Sequence, residues 1–254
     1  MENKQQKEEV KSNNDICHSV QEHAGSVQKI PQQEEQKSQV INDNTTAIDT
    51  LPSIEDSFQL SDQDKKKIFK GLVDQEINKT QLSVIKKSKI SDYSTKQYKL
   101  LYSGSRDGFT ASKFHEMCDG KGPTISFYLS ECGLVFGGYA SLSWTSPPEE
   151  YGKFYKDPDA FVFSLSNSSI HEQYQNQDFT VYHHKIVICK FGGGNMGFDV
   201  CIPDNCDQNN NSFSYLGGTY ELPRELTKNT EAANKYLAGK HQFKILEIQV
   251  YSLQ

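Results

Sequence analysis

The chain has 254 residues, of which 27 are lysine or arginine and 33 are aspartate or glutamate, so its formal charge is −6. Only two of the basic residues are arginines, Arg106 and Arg224. Proteins that read nucleic acids rely on bidentate guanidinium groups and on a basic face. The acidic, arginine-poor composition therefore argues against nucleic acid as a partner.

The first 57 residues differ from the rest of the chain because they contain no Phe, Tyr or Trp. Residues 1–50 hold five lysines, nine acidic residues and eight glutamines. Such a segment cannot bury enough apolar surface to offset about 1–2 kcal/mol of backbone entropy for each ordered residue. We expect a disordered polar tail over residues 1–57, which acts either as a solvating segment or as an arm that binds a partner.

The chain shows no targeting signal. No apolar core follows the first residues, and the longest apolar runs are shorter than the roughly 20 residues needed to span a bilayer. Without a secretory signal, the six cysteines are expected to be reduced thiols. These features predict a cytoplasmic protein with no membrane insertion.

An amphipathic helix and a connector are predicted within residues 58–97. Ser61 and Asp64 have the spacing of a capping box. Apolar residues then recur at helical spacing, namely Ile68, Phe69, Leu72, Val73 and Ile77. The helix is expected either to pack on the main domain or to serve as a dimerisation or partner helix.

From residue 98 onward, short runs of aromatic and β-branched residues are separated by clusters of Gly, Asp and Asn. The predicted strands are 99–102, 124–130, 134–140, 160–165, 185–191, 198–202 and 243–251. Short turns suit antiparallel hairpins better than βαβ crossovers. Two helices are predicted, 111–119 capped by Thr110 and 231–238 capped by Thr230. The pattern therefore predicts an α+β domain built on antiparallel sheets over residues 98–254.

The last predicted strand is apolar on both faces. Leu246, Ile248 and Val250 are expected on one face, and Phe243 and Ile245 on the other. This pattern is typical of a central strand that is covered on both sides.

Two groups of glycines are expected to be structural. Gly108 follows Arg106 and Asp107 at a turn that needs a left-handed residue, and Asp107 can accept hydrogen bonds from backbone N–H groups there. Gly137 and Gly138 interrupt a strand, where glycine usually marks a bulge or a close backbone approach.

The run Gly192, Gly193 and Gly194 begins a formal match to the dinucleotide-binding pattern GxGxxG. A strand-like segment follows the run, whereas the dinucleotide site requires a helix there. A glycine-rich hairpin is therefore predicted.

The cysteines and histidines are the residues of this chain that could form a metal or redox site. Structural zinc sites favour two closely spaced ligand pairs, and here only Cys201 and Cys206 form a near-pair. We expect no metal, no cofactor and no assigned catalytic residue. Cys132, in a turn beside Glu131, is expected to be the most exposed thiol, so it is the candidate for redox chemistry.

Several sequence segments occur together in a fixed order. SRDG at 105–108, FH at 114–115, CDGKGPT at 118–124 and FGGY at 136–139 come first. Trp144, AFVFSL at 160–165, FGGG at 191–194, Asp199, GTY at 218–220 and FKILEIQVY at 243–251 follow. This set resembles the TLDc domain family over residues 98–253, although the glycine turn is longer than the usual GGG-x-D form.

The resemblance implies a sandwich of two antiparallel sheets with flanking helices. It also implies a role in protection against oxidative stress, and for several family members binding to the vacuolar proton-pumping ATPase. No agreed active site accompanies the family. We therefore expect a non-enzymatic protein-interaction module, and the alternative is a thiol redox sensor or an enzyme that uses Cys132 or a His/Asp site. Partner binding is expected on exposed loops that carry Arg106, Asp107, Lys121 and Trp144.

Overall fold

The computed structural model describes residues 53–194 and 197–254. Residues 1–52 of the predicted tail lie outside the described residues. The described α-helices are α1 Ile54–Gln59, α2 Asp62–Ile77, α3 Gly104–Asp107, α4 Ala111–Cys118 and α5 Glu231–Lys235. The strands are β1 Tyr98–Ser103, β2 Thr124–Ser130, β3 Val135–Ala140, β4 Lys153–Tyr155, β5 Phe161–Ser164, β6 Ser169–His171, β7 Val181–His183, β8 Val187–Phe191, β9 Val200–Pro203, β10 Ser212–Ser214, β11 Gln242–Phe243 and β12 Ile245–Leu253.

The strands form two six-stranded sheets, and the strand pairings of the described residues are antiparallel. Sheet 1 has the order β1-β12-β2-β3-β5-β6, and sheet 2 has the order β11-β10-β9-β8-β7-β4. One buried cluster contains Phe136 and Ile248 of sheet 1 together with Phe191 and Val200 of sheet 2. The sheets therefore pack face to face, and the predicted α+β sandwich is confirmed.

Helix α2 packs on the outer face of sheet 1. Its residues Phe69 and Val73 share a second buried cluster with Phe127 and Phe163 of the sheet. At its start the Ser61 side chain accepts a hydrogen bond from the backbone N–H of Asp64, as the capping box predicts. Of the two roles considered for this helix, packing on the main domain is confirmed.

A buried carboxylate fixes the connector that follows α2. Glu76 accepts hydrogen bonds from the backbone N–H groups of Val84 at 2.7 Å and Ile85 at 3.1 Å, and from the hydroxyl of Ser83 at 2.6 Å. These bonds hold the 3-10 helix Ile85–Lys87 against the end of α2. The connector is therefore an ordered part of the layer that covers sheet 1.

Strand β12 lies between β1 and β2 and contributes to both buried clusters, so its predicted central position is confirmed. The predicted facing is wrong at Phe243, Ile245 and Leu246, and Phe243 lies in β11 of sheet 2 and not in β12. Ile245, Ile248 and Val250 lie between the sheets, whereas Leu246 packs in the layer beneath α2. The cause is a register shift between Ile245 and Glu247, because one extra residue reverses the alternation of side chains.

The helix ends also depart from the prediction in places. Helix α5 stops at Lys235 instead of continuing to residue 238, although Thr230 caps it as expected. Residues 53–57, assigned to the polar tail, instead begin α1, which Ser53 caps by accepting from the N–H of Asp56. None of the helices in the described ranges has the length and apolar content that crossing a bilayer requires.

Candidate interaction surface

The SRDG segment forms a tight corner between β1 and α4. Arg106 and Asp107 lie in α3, and Gly108 ends this turn with a φ of 93°. The Asp107 carboxylate accepts from the N–H of Ser103 at 2.9 Å and from the Arg106 guanidinium at 2.7 and 2.8 Å. This ion pair lowers the pKa of Asp107. The predicted roles of Asp107 and Gly108 are confirmed, and Arg106 remains exposed.

The other two candidate contact residues lie beyond α4. Lys121 is exposed on the loop between α4 and β2. Trp144 is only 1% exposed, and its Nε1 donates to Thr124 Oγ1 at 2.9 Å. Its ring packs edge-on against Phe114 and Phe191 inside the sandwich. The expectation that Trp144 is available to a partner is therefore wrong.

The candidate residues do not form one continuous patch. Helix α4 separates the Arg106 corner from Lys121, and its eight residues span about 12 Å. The structure brings Arg106 and Asp107 together and leaves Lys121 at the opposite end of the helix. Of the four residues predicted to contact a partner, Arg106 and Lys121 are exposed, and they lie at two separate positions.

His115 joins α4 to the turn between β7 and β8. Its Nδ1 lies 2.8 Å from Asp119 Oδ1, and its Nε2 lies 3.0 Å from the carbonyl oxygens of His184 and Val187. Because both ring nitrogens face acceptors, the imidazolium form, which donates from both, satisfies this site better than either neutral tautomer. Burial lowers the pKa of His115, but Asp119 and the two carbonyls outweigh burial and raise it.

The carboxylate of Asp199 organises the loop that contains the GTY segment. It accepts from the backbone N–H groups of residues 217–220 at distances between 2.7 and 3.4 Å. Burial raises the pKa of Asp199 to about 6, although the four N–H groups act in the opposite direction. The hydrogen-bonding capacity of this carboxylate is therefore used by the backbone of residues 217–220.

The glycine-rich run forms the predicted hairpin between β8 and β9. Gly192 has a φ of 72°, and a Cβ there would lie 1.9 Å from the Asp199 carboxylate. A Cβ on Gly193 would lie 2.6 Å from the Phe154 ring, and one on Gly194 would lie 3.1 Å from Asn176. Strands flank the run on both sides, so the dinucleotide interpretation is excluded for the described residues.

Gly137 and Gly138 lie in regular pairing between β2 and β5. A Cβ on Gly137 would lie 2.0 Å from the Ser126 carbonyl oxygen, and one on Gly138 would lie 2.6 Å from the Phe191 ring. Glycine is therefore required at these two positions by the close approach of neighbouring atoms, as one of the two predictions had it, and the alternative of a bulge is wrong.

Cys132 is only 3% exposed, so the expectation that it is the most accessible thiol is wrong. Helix α1 packs against its turn, since a Cβ on Gly133 would lie 3.0 Å from the Ser57 carbonyl oxygen. Burial raises the pKa of Cys132, although Lys240 acts to lower it. All five cysteines in the described ranges are buried. No cluster of three His, Cys, Asp or Glu side chains suited to a metal ion occurs among those residues.

The TLDc domain model matches residues 64–254. The chain belongs to the TLDc family. The match begins inside α2, so the TLDc unit contains this helix and the connector as well as the sandwich. A search among curated proteins finds no match.

Several residues that organise the TLDc fold escaped sequence reasoning. Glu76, Asp157 and Glu247 are buried carboxylates that bind backbone N–H groups. No local motif marks Asp157 and Glu247, because the N–H groups of Ser141 and Ser105 that they bind come close only in the folded chain.

Proposed function

We propose that this TLDc protein is a non-enzymatic interaction module, located in the cytoplasm, that binds the vacuolar proton-pumping ATPase and thereby contributes to protection against oxidative stress. The observation that carries the proposal is that residues of the family motif point into the protein and bind to it. His115, Trp144 and Asp199 are buried and bonded to the protein itself. Such residues build a rigid scaffold, and a scaffold of this kind presents loops to a partner.

Arg106 and Lys121 are the contact residues that this proposal retains. Both are exposed cations on segments of the family motif. Asp107 is a poor choice for charge reversal, because its carboxylate also holds the corner through the Ser103 N–H. Variants that test the surface should therefore leave Asp107 in place.

The experiment measures binding of the full chain to the purified soluble sector of the pump. The wild-type chain is expected to bind, and the double variant Arg106→Ser, Lys121→Glu is expected to bind at least about tenfold more weakly. Lys99→Glu, an exposed strand lysine, is the matched control. Lack of binding by the wild-type chain would refute the pump as partner, whereas equal binding by the double variant would refute only the contact surface.

The alternative function is a redox sensor or an enzyme that uses Cys132 or a His/Asp site. Reactive thiols are exposed and have a lowered pKa. Cys132 is buried with a raised pKa, which favours the interaction module. The His115–Asp119 pair is directed at backbone carbonyls and not at an open cavity.

A further inference from the structure

The outer faces of the two sheets differ in their covering. On sheet 1, α2 and the connector bury the outer face. On sheet 2, residues that pair in register share a face. Tyr182 pairs with Phe154, and the antiparallel pairing of Val181 with Phe191 places Lys190 opposite Tyr182. Phe154, Tyr182 and Lys190 point away from the inter-sheet cluster and remain half-exposed.

Four aromatic rings form one patch on this outer face. The Phe154 ring lies 4.9 Å from Phe179, 4.7 Å from Tyr182 and 5.7 Å from Phe198, centroid to centroid. Tyr182 and Phe198 are themselves 5.2 Å apart. Phe179 is 42% exposed. We call these four residues together with Lys190 the aromatic patch.

Lys190 sits on the aromatic patch without a counter-charge. Its Nζ lies 4.2 Å from the centroid of Phe198 and 4.9 Å from that of Tyr182, which is cation–π geometry. Within the described residues it forms no ion pair. Asp178, which precedes Phe179 in the 3-10 helix Gln177–Phe179, is paired with Lys156 at 3.5 Å.

A second lysine makes a cation–π contact on the other face of β4. Lys153 of β4 is exposed, and its Nζ lies 5.2 Å from the Tyr155 ring centroid. It too lacks a carboxylate within 4 Å among the described residues. Lys153 and Tyr155 pair with His183 and Val181 and therefore lie on the face of β4 opposite to Phe154, so Lys190 is the cation that the aromatic patch itself contains. An anionic group at Lys190 would gain a charge-assisted contact in a partly desolvated place.

We propose that the aromatic patch binds an acidic peptide segment of a partner protein, with a carboxylate on Lys190 and apolar side chains on Phe154 and Phe179. Charge complementarity selects this occupant, because the patch combines an uncompensated ammonium group with aromatic surface. The inference does not rest on the pump as partner, since Lys190 lies on β8, apart from the loops that carry Arg106 and Lys121.

The test uses the full chain and a fluorescent 12-residue peptide that alternates Asp with Leu and Phe. Fluorescence anisotropy is expected to show binding that Lys190→Gln weakens at least about tenfold. Phe179→Ser is expected to weaken it as well, and this exposed position avoids unfolding the domain. Lys99→Gln, an exposed lysine on an edge strand of sheet 1, is the matched control and is expected to leave affinity unchanged.

Three results would overturn the proposal. The first is no binding up to about 1 mM peptide. The second is equal affinity for a peptide with Lys in place of Asp, or equal affinity in Lys190→Gln. The third is self-association of the wild-type chain that depends on concentration and is abolished by Lys190→Gln, together with failure of the peptide to bind. A second copy of the chain would then be the occupant of the patch.

Discussion

The Nδ1 atom of His115 lies 2.8 Å from Asp119 Oδ1, and this pair joins the last turn of α4 to its C-cap residue. The opposite ring nitrogen faces two backbone carbonyls, so His115 donates on both sides. Ser146 donates a further hydrogen bond to Asp119 at 2.7 Å. One ring thus bonds a helix, its end and a strand turn, and because its imidazolium form fits all three acceptors, we expect the stability of the sandwich to depend on pH.

We expect the stabilising effect of His115 to decline as the pH rises. The pKa of His115 in the folded protein is raised above the ordinary value of 6.5. Its contribution is therefore fully present below pH 6.5 and is lost as the pH rises through the folded-state pKa. Urea unfolding of the wild-type chain and of His115→Gln between about pH 6 and pH 9 should show a difference in unfolding free energy that shrinks with pH.

The control for this prediction is Asp119→Asn. The variant removes the negative charge that favours the imidazolium, so the loss of stability should begin at a lower pH than in the wild-type chain. A difference between wild type and His115→Gln that stays constant over the whole range would contradict a protonated ring.

Asp199→Asn is expected to destabilise the domain by about 1–3 kcal/mol at pH 7. The carboxylate has two oxygens that accept hydrogen bonds, whereas the asparagine amide has one. Some of the four N–H groups of residues 217–220 therefore lose their buried partner. Urea unfolding measures the effect, and Asp159→Asn on the exposed surface is the control. A loss equal to that of the control would mean that the carboxylate is dispensable for the loop.

Local signals in the sequence predicted much of the fold. Strand β2 has the predicted bounds, Thr124–Ser130, because Gly-Pro precedes it and a Glu-Cys-Gly turn follows it. Thr110 and Thr230 cap their helices by accepting from the N–H groups of Lys113 and Ala233. Each of these features depends on residues within a few positions of one another.

Features that depend on distant residues were missed. Strands β4, β6, β7 and β10 have three residues each, which is too short for alternation to be detected. The aromatic patch was missed because Phe154 and Tyr182 lie on these short strands and share a face only once the strands pair. Trp144 was expected in an exposed loop because its Thr124 partner is brought to it by the folded sheet.

Gly138→Ala is expected to destabilise the domain by about 1–3 kcal/mol through overpacking. The added methyl would lie 2.6 Å from the Phe191 ring, which is fully buried and cannot move aside. Gly71→Ala is the matched control, because nothing lies within 4 Å of a Cβ at this exposed position in α2. The control should gain about 0.5–1 kcal/mol from helix propensity. Equal unfolding midpoints for the two variants would show that the sheets separate readily at Gly138.

The buried cysteines predict slow thiol chemistry in the native protein. A Cys17→Ser variant removes the one cysteine outside the described residues and leaves the five buried thiols. Burial raises the pKa of Cys132 and raises that of Cys201 to about 11 and that of Cys189 to about 12. At neutral pH all five should react with Ellman's reagent at least about tenfold more slowly than glutathione, since the thiolate is the nucleophile.

Unfolding in guanidinium chloride is the control for the thiol prediction, because it should make all five cysteines react at the rate of a free thiol. A native thiol that reacts faster than glutathione, and that mass spectrometry assigns to Cys132, would contradict the prediction. Such a result would require α1 to leave the turn that carries Cys132, since Phe58 of α1 and Cys132 both lie within 3.3 Å of a Cβ placed on Gly239. The redox-sensor alternative would then be favoured over a rigid interaction module.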